Sequence, residues 1–130
     1  MCLGINHNLR FPVSRKLFVK ENNMQVIDNI EELKQGISTN ELFLLYVSSE
    51  GCNVCTALLP KIEAMLTNYP EIKSAFVDMV EVPQVAGELS IFTIPAIILF
   101  IQGKESIREA RFVDVELLNQ KIKRYLDMFK

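Results

Sequence analysis

The 130-residue sequence predicts one α/β domain, a central mixed β-sheet flanked by helices in the order βαβαβαββα. Three observations carry this prediction. Short apolar segments rich in β-branched residues alternate with longer stretches of helical period, which is the pattern of βαβ units around a parallel sheet. The last two strand segments are separated by a Gln102-Gly103 turn, so they form a terminal antiparallel hairpin. Finally, 49% hydrophobic and 23% charged residues is the balance of a globular chain with a core of ordinary size.

Each element has its own signal. Met24–Ile27 reads as a short strand. Asp28, with Glu31 three residues later, has the form of a capping box and opens a helical stretch to Gln35 that Gly36 can end. Leu42–Val47 is a continuous apolar run with the length of a strand buried on both faces. Cys52–Asn68 reads as a helix, because Leu58/Leu59, Ile62 and Met65/Leu66 recur at helical spacing, and Tyr69-Pro70 closes it. Ile72–Asp78 is the next strand, and a weak helical segment surrounds Pro83–Leu89. Ala96–Ile101 is β-branched, and Ser106–Val113 can return antiparallel to it. Val115–Phe129 is the last helix, with Leu117/Leu118, Ile122, Tyr125/Leu126 and Phe129 on one face.

Residues 1–23 differ from this body. They carry Arg10, Arg15, Lys16 and Lys20 against Glu21 alone, whereas the remainder is net acidic and the whole chain is −2. Pro12 interrupts any helical period there. The segment is expected to be a basic N-terminal extension outside the core, read either as disordered or upstream of a natural start at Met24, as an organellar targeting peptide, or as a functional arm. The domain proper is expected to span residues 24–130. No apolar stretch is long enough for a membrane span and none follows Met1 as a secretory leader would, so membrane association is not expected. The acidic balance argues against a nucleic-acid partner, and Lys121-Ile122-Lys123-Arg124 reads as the solvated face of the last helix.

Of the three cysteines, Cys52 and Cys55 form a C-x-x-C and Cys2 lies far away. So few cysteines suit an intracellular chain with one dithiol rather than a secreted disulfide scaffold. The motif stands where a buried strand gives way to a helix. Free N–H groups and the positive end of the helix dipole should lower the Cys52 thiol pKa from about 8.5 toward about 7 or below. Cys55 projects from the same face, nearly a turn deeper. Half of a zinc site and two inert buried cysteines are the competing readings, although the other candidate metal ligands, Cys2 and His7, both lie in the basic extension. His7 has no partner for a Cys–His nucleophilic arrangement, and Asp78 and Glu81 read as surface charges.

Phe43-Leu44-Leu45-Tyr46-Val47 leads into Cys52-Asn53-Val54-Cys55, Pro60 follows the first cysteine by eight residues, and Phe92-Thr93-Ile94-Pro95-Ala96-Ile97-Ile98-Leu99-Phe100 runs on to Gln102-Gly103-Lys104. On these motifs the segment from Met24 to Lys130 resembles a thioredoxin-fold domain over nearly its whole length, with Phe92–Phe100 resembling the family's segment around its cis-proline and Gln102-Gly103-Lys104 the turn that follows. The resemblance implies Cys52 as nucleophile, Cys55 as resolving thiol, a cis bond between Ile94 and Pro95, and an Ile94 backbone that pairs with an incoming substrate strand. It implies a thiol–disulfide oxidoreductase with no cofactor beyond the Cys52–Cys55 disulfide. Protein disulfides would be its substrates and a reductase or small thiol its reducing partner, in a cytoplasmic monomer that serves cell redox homeostasis.

The departures from the family pattern bear on activity. Gly51 stands where the family has Trp, Asn53-Val54 replaces Gly-Pro, and Tyr46 occupies the place of a buried Asp that moves protons at the resolving thiol. A phenol with a pKa near 10 is a poor base at neutral pH. The family's lysine on the next strand is missing near Ser74, and Glu50 is a possible substitute acid or base that reads more simply as a surface charge. These losses support the alternative function, a weakly active or redox-sensing protein-binding module of the same fold.

Overall fold

In the computed structural model residues 24–129 are described, and the expectations for the basic extension, Cys2 and His7 fall outside them. The elements follow the expected order: β1 (Gln25–Val26), α1 (Ile30–Thr39), β2 (Leu42–Ser48), α2 (Asn53–Leu66), β3 (Lys73–Asp78), α3 (Gln84–Leu89), β4 (Ala96–Ile101), β5 (Lys104–Ala110) and α4 (Val115–Phe129). The five strands form one sheet in the spatial order β1-β3-β2-β4-β5. β1, β3 and β2 run parallel, while β4 is antiparallel to β2 and forms the hairpin with β5.

β2 is the central strand, and all seven of its residues are buried. Its alternate side chains feed two cores. Leu42, Leu44 and Tyr46 pack in one with Leu59 and Ile62 of α2 and Leu118, Ile122 and Leu126 of α4. Phe43, Leu45 and Val47 pack in the other with Leu33 of α1 and Val85 of α3. Burying one such side chain stabilises by about 1.5–3 kcal/mol, so a strand apolar on both faces holds both helix layers to the sheet.

Several boundaries move, each for a local reason. Ile27 is still paired with β3 through its N–H to Phe76 O, at 2.8 Å. The cap therefore falls one residue later than Asp28/Glu31: Asn29 Oδ1 accepts from Glu32 N, while Glu32 Oε1 accepts from the N–H of Asp28, the residue before the cap. α1 does not end at Gly36 but continues to Thr39, because the glycine is needed inside it. A Cβ at Gly36 would stand 2.7 Å from the Phe43 ring. α2 ends at Leu66 rather than Asn68, as Thr67, Asn68 and Tyr69 donate to carbonyls three residues back in a tightened last turn.

β5 covers Lys104–Ala110 rather than Ser106–Val113. Gln102 and Gly103 both have positive φ (53° and 81°), as a two-residue hairpin turn requires, and this aligns Ile101 with Lys104. Asp78 is also corrected. It is buried rather than a surface charge, and its carboxylate accepts from Val80 N at 2.7 Å. Glu81 is exposed.

Candidate active site

β2 delivers the chain to the dithiol through a tight turn. Cys52 N donates to Ser49 O at 3.1 Å, and Gly51 takes φ 85° at the third position, where a side chain would be strained. Cys52 is therefore the N-cap of α2 rather than a residue of its first turn. Its Sγ accepts from Cys55 N at 3.2 Å and its carbonyl accepts from Thr56 N, so the sulfur itself satisfies an otherwise free helix donor.

Cys52 and Cys55 are joined as a disulfide with 5.3 Å between their Cα atoms. Cys52 is half-buried at the surface, whereas Cys55 is 1% exposed beneath it. The sequence expected one outer and one inner sulfur, and the structure has that arrangement.

Ile94 and Pro95 arrive at the same end of the sheet from the other side. The β2–β4 ladder begins at Val47↔Ala96, so the exit of β2 toward the dithiol lies beside the entry of β4. The Ile94–Pro95 bond is cis, as expected. Pro95 is buried, its carbonyl accepts from Arg111 N at 2.8 Å, and half-buried Ile94 lies beyond the last paired residue of β4.

Beneath the dithiol, Tyr46 is fully buried and its hydroxyl donates to Cys55 O at 2.5 Å. Burial, and secondarily the Glu63 carboxylate, push the phenol well above its ordinary pKa, so it acts as a donor and not as a base. Glu50 is exposed and Ser74 is half-buried.

Glu63 was not singled out from the sequence. Its Oε2 is buried without a hydrogen-bond partner among the described residues, and desolvation raises its carboxyl to about 7. The available signal was its place on α2, next to Ile62 and one turn beyond Leu59, at the margin of the apolar stripe.

Known proteins resemble this chain. The thioredoxin family model matches residues 24–124. A thioredoxin-like protein of Bacillus subtilis, YdfQ, is 37% identical over 107 residues, covering 82% of this chain and 96% of that one. The chain belongs to the thioredoxin family. A thioredoxin of Chlamydia trachomatis is 32% identical over 84 residues, covering 65% of this chain and 82% of its own length. Among solved structures, Plasmodium falciparum thioredoxin superposes with a TM-score of 0.72 at 24% identity, over 78% of this chain and 99% of that one. The Trypanosoma brucei brucei thioredoxin reaches 0.74 at 17% identity, over 80% and 91%; both likenesses concern the fold.

Family, fold and a paired Cys52–Cys55 together make this thioredoxin-like chain a thiol–disulfide oxidoreductase. Among the described residues no cluster of His, Cys, Asp and Glu could hold a metal, and no helix is long and apolar enough to cross a membrane.

Proposed function

We propose that Cys52 and Cys55 perform dithiol–disulfide exchange on protein clients, with Cys52 as nucleophile and Cys55 as resolving thiol. The observation that carries this reading is the pairing of a half-exposed sulfur at the N-cap of α2 with a buried sulfur three residues on. In the reduced protein the Cys55 N–H and the dipole of α2 would favour Cys52 thiolate at neutral pH.

The thiolate attacks one sulfur of a client disulfide, giving a Cys52–client mixed disulfide and releasing the first client thiolate. Cys55 then loses its proton to solvent and attacks Cys52 Sγ, expelling the second client thiolate. Two electrons pass to the client, whose thiolates take up two protons, and the Cys52–Cys55 disulfide is left. Ile94, beyond the end of the ladder, offers its backbone to a client strand, and Pro95 holds it beside the dithiol. A reductase or small thiol would return the electrons. The setting that fits is a cytoplasmic monomer in cell redox homeostasis, with no cofactor beyond the disulfide. Residues 24–130 would act as the working domain, with 1–23 as a separate extension.

The test is mechanism-based trapping. Cys55→Ser should accumulate Cys52-linked client adducts that dithiothreitol releases, and Cys52→Ser should not. Absence of adducts from a folded Cys55→Ser protein would contradict the assigned roles and leave a protein-binding module of the same fold.

A further inference from the structure

The end of the sheet that carries the dithiol is unusually apolar at its surface. Among the described residues, large exposed hydrophobic side chains include Val54 (59%), Val80 (57%), Phe92 (91%) and Phe112 (85%). Val54 belongs to the dithiol motif, Val80 follows β3, Phe92 precedes β4 and Phe112 follows β5, so all four lie at the same end of the sheet.

Between Val54 and Phe112 the surface forms an open groove of about 430 Å³, lined also by Leu58, Arg111, Val113 and Asp114. Its charges are unequal. Asp114 Oδ1 accepts from Leu117 N at the start of α4, where the helix dipole offsets the carboxylate. Arg111 makes no ion pair with the described residues, and its guanidinium sits 5.8 Å from the centroid of the Phe112 ring. Glu50 does not line the groove. Arg111 also holds φ 67°, a conformation that glycine would take more cheaply, while its N–H is fixed to Pro95 O. The backbone of an exposed cation is thus held next to the cis-proline.

We propose that Arg111 and Phe112 set the client preference of the dithiol. The groove accepts a strand-like client segment whose cysteine is flanked by an apolar side chain, which packs on Val54 and Phe112, and by a carboxylate, which pairs with Arg111. Side chains at alternate positions of an extended segment share one face and lie about 6–7 Å apart, a spacing that lets client residues at i and i+2 reach both features. The inference rests on the exchange chemistry proposed above and names the class of segment that chemistry would act on.

The test uses pre-reduced full-length protein in single turnovers. It is mixed with symmetrical peptide disulfides that carry, on each side of the cysteine, an apolar residue next to it and Glu, Gln or Lys two residues beyond the apolar one. Electrons pass from the Cys52/Cys55 dithiol to the peptide disulfide, and the rate of Cys52–Cys55 closure is read by alkylation and mass. The Glu peptide should react about fivefold faster than the Lys peptide at low salt, and the ratio should shrink as salt screens the pair. Arg111→Gln should bring the ratio near one and Arg111→Glu should invert it. Phe112→Ala should slow both peptides and leave their ratio unaltered.

A ratio near one in the wild-type protein, or one unaltered by Arg111→Glu, would overturn the proposal. Bis(2-hydroxyethyl) disulfide, small and uncharged, separates the two levels of failure. If the wild-type protein reduces it but shows no peptide preference, the groove assignment alone falls. If the protein reduces neither it nor any peptide, the exchange reading falls and the groove assignment with it.

Discussion

The hydroxyl of Tyr46 donates a 2.5 Å hydrogen bond to the carbonyl oxygen of Cys55, tying the middle of the central strand to the first turn of the helix that carries the dithiol. Tyr46 also stacks on Phe76 of β3, with ring centroids 6.1 Å apart and an 18° interplanar angle. The residue is therefore a fastener under the site. Its raised phenol pKa means that the bond persists throughout the working pH range.

Tyr46→Phe removes one buried hydrogen bond and keeps the ring. It should destabilise the protein by about 1 kcal/mol, seen as a lower urea midpoint with an unchanged slope. Identical midpoints would show that the bond contributes nothing net. Because the phenol is not a base here, the pH profile of Cys52–Cys55 closure should keep its shape in the variant.

Glu63 predicts a pH dependence of stability. Its carboxyl is raised to about 7 by desolvation, so folding favours the protonated form. That contribution is full below the unfolded pKa of about 4.3 and is lost as pH rises through about 7. Glu63→Gln, neutral at every pH, should match the wild type near pH 4. It should exceed the wild type by about 1 kcal/mol at pH 8, a figure discounted for the solvent that reaches the half-buried side chain. A stability difference that is flat from pH 4 to 8 would contradict this.

Gly36→Ala should destabilise although alanine is the better helix former. The helix gains about 1 kcal/mol from the exchange. Against this, the new Cβ would meet the Phe43 ring at 2.7 Å, and that ring is fully buried with little room to move. Overpacking of this kind costs about 1–3 kcal/mol. A thermal midpoint at or above the wild type would show that the ring gives way freely.

What the sequence discloses depends on whether the signal is local. The strand β4 and helix α4 match their expected spans because β-branched density and apolar period are properties of the segments themselves. The dithiol and the Ile94–Pro95 junction are legible for a related reason, since each is a short motif at a strand end. Gly36 misleads because its partner, Phe43, comes from another element, and a glycine kept for close approach looks the same as one that ends a helix. Asp78 misleads for a different reason: its bond to Val80 N is local, but its burial comes from the assembled fold. Glu63 and the Val54–Phe112 groove are invisible beforehand, as they depend on how α2 lies against β3 and against the segment after β5.

The most direct measurement is a redox titration of the full chain in graded dithiol/disulfide buffers, quenched by alkylation, with the Cys52–Cys55 peptide weighed by mass. The account predicts one reversible transition with two-electron slope. A midpoint below about −230 mV would mark a reductant, and one between about −120 and −180 mV an oxidant or isomerase. A pair that does not open and close reversibly would contradict dithiol exchange at this site.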